Sequence, residues 1–246
     1  MPATEITVRT PDGECPATLA KPDGKGPWPG VIMFMDGAGY RPPLGAFAQK
    51  IANHGFVVLL PDTLYRFRPY PGIDFSKPTS EDVRKQRMQM IMATSTLAAI
   101  QGDHGAFIAA LDADRDVKRG KIGTTGYCMG GRISLMCAAL FPDRVAAAAA
   151  FHPGNLVGDI GGDTLPPRLP AIKAKLLVAM AKDDAFFTDP QQAEFTAAFK
   201  ASHMKGSCMQ WPARHGWTMP DGPVYDAVQA ERHWEELAAL FEGELH

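Results

Sequence analysis

The chain has 246 residues, which suits one large α/β domain, and its apolar fraction of 46% is ordinary for a globular protein. A formal net charge of −2 with interspersed signs argues against a nucleic-acid partner, because such a surface needs a basic stripe. No stretch approaches the ~18 consecutive apolar residues of a membrane span, and the first ten residues lack the features of a signal peptide. We therefore expect a cytoplasmic protein with no membrane partner.

The first half of the chain predicts two short strands around Pro11-Asp12-Gly13, followed by alternating strands and helices. Buried strands are predicted at residues 29–36 and 55–62, with a helix over 44–54 between them. A long loop over 63–80 follows. Two helices are then expected over about 80–100 and 103–113, joined near Gly102.

The second half continues the alternation. Strands are predicted at 121–128, 145–154, 174–184 and 206–216, and helices at 129–142, 190–201 and 223–242. This order predicts an α/β fold, a doubly wound and mainly parallel sheet flanked by helices, in a single domain over residues 1–246. Ligands bind beyond the carboxyl ends of such strands.

"GTTGYCMGGR", residues 123–132, resembles the nucleophile elbow of a serine hydrolase with a cysteine in place of the serine. The small residues Gly126 and Gly130 lie two positions before and after Cys128, where strand and helix backbones must approach closely. A helix that begins after Cys128 favours its thiolate. The alternative is a packed glycine turn with an inert thiol.

A cysteine nucleophile needs a base, and the base needs an acid to orient it. Asp184 and His215 follow Cys128 in the order expected of an α/β-hydrolase, each after a strand. Asp183 is the alternative acid. His152 also ends a strand near the elbow and is predicted either to line the substrate pocket or to be a satisfied buried histidine.

The other five histidines lie in or beside helices or at the chain end, and we expect them to be solvated: His54, His104, His203, His233 and His246. The four cysteines lie far apart, without the spacing of a zinc site, so no metal and no other cofactor is expected.

The sequence resembles the dienelactone hydrolase family of α/β-hydrolases over nearly its whole length. The resemblance rests on "GYCMGG" at 126–131, the strand and glycine loop at 31–39, "LLPDTLYRFRP" at 59–69, the Asp184 loop and "HGW" at 215–217. It implies a Cys-His-Asp triad of Cys128, His215 and Asp184. It also implies a thiol-activating carboxylate at Asp36, where the family archetype has a glutamate; the alternative role of Asp36 is to cap the loop over residues 37–39.

The backbone amides of Met129 and Gly37 would form the oxyanion hole. Met219 stands near the position where the archetypal enzymes carry an arginine that binds the substrate carboxylate. Arg41, Arg66 or Arg68 is a candidate replacement, with solvated loop arginines as the alternative. Tyr40 and Trp217 are predicted to supply apolar walls of the pocket or to pack its rim.

These residues predict a cofactor-free hydrolase of a small-molecule carboxylic ester or lactone, acting through a thioacyl intermediate. The alternatives are a thioesterase or xenobiotic esterase with the same triad, and a non-catalytic ligand-binding or redox-sensing protein that uses Cys128. A monomer or a homodimer is expected.

Overall fold

The computed structural model describes residues 3–246 and contains one eight-stranded sheet. The strands are β1 (Thr4–Thr10), β2 (Gly13–Ala20), β3 (Trp28–Phe34), β4 (Val57–Pro61), β5 (Val117–Tyr127), β6 (Val145–Phe151), β7 (Lys175–Ala181) and β8 (Gly206–Trp211). Their order across the sheet is β1-β2-β4-β3-β5-β6-β7-β8. Because β1 pairs antiparallel with β2, β2 pairs antiparallel with β4, and every other pair is parallel, the prediction of a mainly parallel sheet is confirmed.

Residues 3–246 also form six α-helices and two short 3₁₀ turns, which lie between the strands except for the last helix. The helices are α1 (Pro42–Ala52), α2 (Glu81–Thr94), α3 (Leu97–Ala113), α4 (Met129–Leu140), α5 (Asp189–Ala201) and α6 (Ala227–Leu245). The 3₁₀ turns span Tyr65–Phe67, inside the predicted long loop, and Pro166–Ala171, which the sequence patterns did not indicate. In residues 3–246 no helix is both long and apolar enough to cross a bilayer.

Helices cover both faces of the central strand β5. Successive residues of a strand point to opposite faces, and on β5 the two faces meet different helices. Thr124 bonds to Ser134 of α4, with 2.9 Å between the two hydroxyl oxygens. A Cβ at neighbouring Gly123 would lie 2.8 Å from the Phe241 ring of α6. The alternation of strands and helices therefore produces the predicted layered core.

The predicted boundary between α2 and α3 is wrong. The first helix ends at Thr94 and the second begins at Leu97, whereas Gly102 lies inside α3. Thr96 caps the new helix, because its hydroxyl accepts a hydrogen bond from the amide of Ala99 at 3.3 Å. Gly102 is instead used for packing, since a Cβ there would lie 3.1 Å from Pro11 Cγ in the β1–β2 turn.

Two histidines that were expected to be solvated are buried. His104 of α3 packs against Phe34 and Phe107, and His233 of α6 shares a hydrogen bond of 2.9 Å with the Tyr127 hydroxyl. Burial lowers the pKa of each imidazole to about 3. Both rings are therefore neutral parts of the core, like the aromatic side chains around them.

Candidate active site

The carboxyl ends of β3, β5, β7 and β8 carry the residues that the sequence analysis singled out. These strands run parallel within the sheet, so the loops that follow them open at the same edge. The loop after β3 contains Asp36 and Gly37, and Cys128 follows β5. Asp184 follows β7 and His215 follows β8. The fold therefore brings together residues that are up to 179 positions apart.

Cys128 occupies a sharp turn between β5 and α4, with φ 53° and ψ −117°. This left-handed backbone is uncommon for a residue other than glycine and occurs where surrounding contacts enforce it. The Cys128 amide donates to Phe151 O at 3.1 Å, and its carbonyl accepts from Gly131 and Gly154, each at 3.0 Å. These hydrogen bonds tie the elbow to the end of β6 and to α4. The position from which the Cys128 side chain extends is therefore fixed.

The predicted need for small residues around the elbow has a direct structural cause. A Cβ at Gly126 would overlap the carbonyl oxygen of Gly130, and a Cβ at Gly130 would overlap the carbonyl oxygen of Phe34. These are backbone atoms that no side-chain movement can displace. The turn therefore requires both glycines.

His215 and Asp184 form the acid–histidine pair. The imidazole Nδ1 lies 2.7 Å from Asp184 Oδ2, and Asp184 Oδ1 accepts a hydrogen bond of 2.8 Å from the amide of Phe186. Asp184 is buried, whereas Asp183 is exposed and has a left-handed backbone with φ 52°. The structure thus joins His215 to Asp184 and leaves Asp183 at the surface.

The charges around His215 favour its imidazolium form. Burial alone would lower its pKa, but the charge of a Cys128 thiolate and the hydrogen bond to Asp184 raise the pKa to about 10. Nε2 is buried, and within the described chain it has no hydrogen-bond partner. The arrangement is suited to a thiolate–imidazolium pair.

Two backbone amides beside the elbow are free to bind an oxyanion. The Met129 amide opens α4, and the Gly37 amide lies in the loop after β3. Within residues 3–246 neither of them donates a hydrogen bond, although their neighbours Ala38 and Gly39 both do. Unused donors beside a nucleophile are what an oxyanion hole requires.

Asp36 is held by partners other than the thiol. Its Oδ1 accepts from the Ala38 amide at 2.9 Å and from Arg41 Nη1 at 2.7 Å, and its Oδ2 accepts from Arg41 Nη2 at 2.8 Å. In the described residues no hydrogen bond joins Asp36 to Cys128. The geometry matches the loop-capping alternative, and the expected role of Asp36 in thiol activation lacks the contact that it needs.

Arg41 is not available to bind a substrate carboxylate. Besides the two bonds to Asp36, its Nε donates to Asp221 Oδ2 at 2.6 Å, so the guanidinium lies between two carboxylates. Although burial alone would lower its pKa, the two aspartates raise the pKa of Arg41 above its ordinary value. The expected substrate contact is therefore replaced by a structural one, which joins the loop after β3 to the loop after His215.

The two other candidate arginines are also paired. Arg66 binds Asp103 with Nη1 at 2.7 Å, and Arg68 Nε donates to the buried Asp62 at 2.5 Å. Tyr40 directs its hydroxyl to Thr18 on β2, and its ring lies under the Arg68 guanidinium. These contacts stabilise the loop over residues 62–70.

Trp217 and His152 lie behind His215, away from solvent. Both side chains are fully buried. The ring centroid of His152 lies 5.0 Å from that of His215 and 4.9 Å from that of Trp217, in edge-to-face arrangements. This geometry matches the buried-histidine alternative for His152 and the packing alternative for Trp217, whereas the exposed Phe186 ring lies 4.9 Å from His215 on the open side.

No group of three His, Cys, Asp or Glu side chains in residues 3–246 is arranged to hold a metal ion. The model of the dienelactone hydrolase family matches residues 15–245. The chain belongs to the dienelactone hydrolase family.

Individual relatives agree with this assignment. A candidate carboxymethylenebutenolidase from Yersinia pestis is 27% identical over 96% of this chain and 86% of its own. The carboxymethylenebutenolidase of Pseudomonas putida is 24% identical over 96% of both chains. The crystal structure of a candidate dienelactone hydrolase from Klebsiella pneumoniae superposes with a TM-score of 0.84, at 21% identity over 98% of both chains, and shows the shared α/β-hydrolase fold. This dienelactone hydrolase family member is an ester or lactone hydrolase.

One buried arginine near the site escaped the sequence analysis. Arg87 of α2 is 5% exposed; its Nη2 donates to Pro71 O, its guanidinium covers the Tyr70 ring, and its Nη1 is buried without a hydrogen-bond partner in the described residues. A Cβ at Gly39 would lie 2.9 Å from that Nη1. No charge pattern in α2 marks Arg87, because Arg84 and Lys85 beside it are exposed. Its burial alone distinguishes it.

Proposed function

We propose that this hydrolase cleaves carboxylic esters or lactones through a Cys128–His215–Asp184 triad and a thioacyl intermediate. The observation that carries the proposal is the short bond between His215 Nδ1 and Asp184, combined with the Cys128 thiolate raising the pKa of His215. A protonated imidazole whose other nitrogen is anchored has its Nε2 proton ready for a leaving group.

In the first half-reaction the Cys128 thiolate attacks the carbonyl carbon, and a C–S bond forms. The carbonyl electron pair moves to oxygen, where the Met129 and Gly37 amides receive the negative charge. When the tetrahedral intermediate collapses, the C–O bond breaks and the leaving alkoxide takes the Nε2 proton of His215. The products of this half-reaction are an alcohol, or the open end of a lactone, and a thioacyl enzyme.

The second half-reaction uses the change in charge that the first one causes. Acylation removes the negative charge of Cys128, which is one cause of the raised pKa of His215. The neutral imidazole then accepts a proton from water, which attacks the thioester. The C–S bond breaks, and the thiolate and the imidazolium are restored.

We also propose that Arg87 binds a carboxylate of the substrate. Its Nη1 lacks a partner in the described residues, and burial lowers its pKa, so an added anion would stabilise the charged form. Ile91, one turn further along α2, packs over Gly37 in the oxyanion loop. The buried Nη1 of Arg87, unpartnered in the described residues, favours a small ester or lactone that carries a carboxylate. We expect this substrate to be cytoplasmic. A thioesterase or xenobiotic esterase would use the same triad, and no contact near Met219 favours either.

The deciding experiment is a panel of small lactones, activated esters and thioesters, assayed with the wild-type protein and the variants Cys128→Ala and Cys128→Ser. We expect Cys128→Ala to lower kcat at least ~1000-fold, because the covalent route is lost. Mass spectrometry of quenched wild-type turnovers would show the added acyl mass on the peptide that contains Cys128. Cys208, a half-buried thiol remote from the elbow, provides the control Cys208→Ala. Hydrolysis that survives in Cys128→Ala would overturn the triad.

A further inference from the structure

His152 is unusual among the buried residues of this protein. It directly follows β6, its side chain is 1% exposed, and its backbone has a left-handed φ of 36°. The amide of His152 donates to Ala179 O of β7 at 2.8 Å, which extends the sheet by one residue. A strained backbone that neighbouring strands hold in place is typical of functional sites.

The side chain of His152 connects β6 to the loop that carries His215. Its Nε2 shares a hydrogen bond of 2.7 Å with the hydroxyl of Thr218, which is buried three residues after His215. Its ring stands edge-to-face against the His215 ring, with 5.0 Å between centroids. His152 thus contacts the catalytic imidazole directly and holds its loop through a second bond.

The groups that surround these two rings determine their charges. His215 faces Cys128 after β5 and Asp184 after β7, which favour its cation. His152 faces His215; burial and then the positive charge of His215 lower the pKa of His152 well below its ordinary value. His152 therefore stays neutral while His215 carries the positive charge.

We propose that His152 is a positioning residue that holds His215 in the orientation needed to pair with Cys128. The inference rests on the proposed function, because it assigns His152 to the same triad. The neutral ring supports the back of the imidazole, and the bond to Thr218 fixes the loop over residues 215–218. Asp184 fixes one ring nitrogen, so His152 supplies the second restraint that sets the tilt of the ring.

The test compares His152→Phe and Thr218→Val with the wild-type protein. Phenylalanine keeps an aromatic ring but loses the bond to Thr218, and valine removes the same bond from the other side. We expect kcat to fall about 10- to 100-fold in His152→Phe with KM little changed, because misplacing a catalytic group by an ångström has an effect of this order. Thr218→Val should show a smaller change of the same kind.

A second measurement needs no substrate. Thiolate absorbance at 240 nm, followed against pH with Cys128→Ala as the blank, reports the thiolate–imidazolium pair directly. We expect His152→Phe to lower the thiolate fraction at neutral pH, with a corresponding shift in the pH profile of kcat. The control is His104→Phe, a buried neutral histidine that packs against Phe34 rather than His215.

The outcomes separate this inference from the proposed function. A folded His152→Phe with wild-type kcat and wild-type thiolate titration would overturn the positioning role and leave the triad standing. No thiolate signal in the wild-type protein would instead contradict the proposed mechanism. If His152→Phe does not fold, Thr218→Val decides, and an unchanged titration in that variant also overturns the role.

Discussion

Strained backbone is concentrated beside the proposed triad. Four residues other than glycine in the described chain have a positive φ, and three of them are Cys128, His152 and Asp183. Each follows a strand of the parallel part of the sheet. Cys128 belongs to the proposed triad, Asp183 directly precedes Asp184, and His152 packs against His215. A non-glycine residue in this region costs about 1–3 kcal/mol. The fold therefore supports an unfavourable local conformation at the point where three loops meet.

The neighbouring aspartates of the β7 loop allow a matched test of the acid. We expect Asp184→Asn to lower kcat about 10⁴-fold, because an amide no longer fixes the imidazole in its working tautomer and charge. Asp183→Asn should retain kcat, since Asp183 is exposed and asparagine also tolerates a left-handed backbone. Ester hydrolysis by both variants, with circular dichroism to check folding, would measure this. Equal losses in the two would contradict the assignment of Asp184.

At the residue scale, the sequence predicted the candidate catalytic residues whose order along the chain matches that of an α/β-hydrolase. Cys128, Asp184 and His215 each follow a strand in the expected order, so their location at one edge of the sheet follows from the sheet itself. The ion pair of Arg41 with Asp221 could not be predicted from the sequence. Asp221 lies 180 positions away, in a loop whose path depends on tertiary packing. The full burial of Trp217 escaped prediction for the same reason, whereas the burial of His152 is one of its two predicted alternatives.

Helix α2 forms one wall of the site, although its sequence is mostly polar. Its buried side contributes Arg87 and Met90, and Ile91 covers Gly37. The predicted end of α2 was wrong because Gly102 is a strong signal for the end of a helix in the sequence, whereas Thr96 as a helix cap is a weaker signal. Close contact between Gly102 and Pro11 explains why a glycine is tolerated inside α3.

Arg87 and its exposed neighbour Arg84 allow a matched test of α2 as a substrate contact. We expect Arg87→Met to lower kcat/KM for esters that carry a carboxylate about 10- to 100-fold, the usual value of a charge-assisted hydrogen bond. Neutral esters should be hydrolysed almost as before. Arg84→Met, which changes the same charge on the same helix, should affect neither class. Equal losses for charged and neutral esters in Arg87→Met would exclude carboxylate binding.

At the scale of the whole molecule, the core contains neutral histidines that make stability depend on pH. The pKa of His104 is about 3 in the folded protein against 6.5 when exposed, and His233 behaves alike. Below pH 6.5 the unfolded chain binds protons that the folded protein does not, so stability falls as the pH falls. By pH 5 the free energy of unfolding should drop by about 2 kcal/mol for each of them.

His104→Phe tests this dependence without touching the site. His104 packs among Phe34, Phe107 and Phe141, and its Nδ1 lacks a hydrogen-bond partner in the described chain. Urea unfolding at pH 7 and pH 5 should show a loss on acidification that is about 2 kcal/mol smaller in His104→Phe than in the wild-type protein. Identical losses would mean that the His104 ring is protonated in the folded state.

The layered architecture was the most predictable level. Alternating buried strands and helices lead to a parallel sheet with helices on both faces, whatever the details of the loops. The order of strands across the sheet does not follow from the same pattern, since β4 pairs with both β2 and β3. Which helix covers which face depends on contacts such as that of Phe241 with Gly123.

The bridge from Asp36 through Arg41 to Asp221 also bears on the order of synthesis. Chains emerge from the ribosome amino end first, and a nascent chain that stops before β8 already contains Cys128 and the loop after β3. It contains neither His215 nor the second carboxylate that Arg41 binds. In the proposed mechanism the Cys128 thiol therefore meets His215 only after β8 has been translated, so that its reactivity would arrive together with the last strand of the sheet.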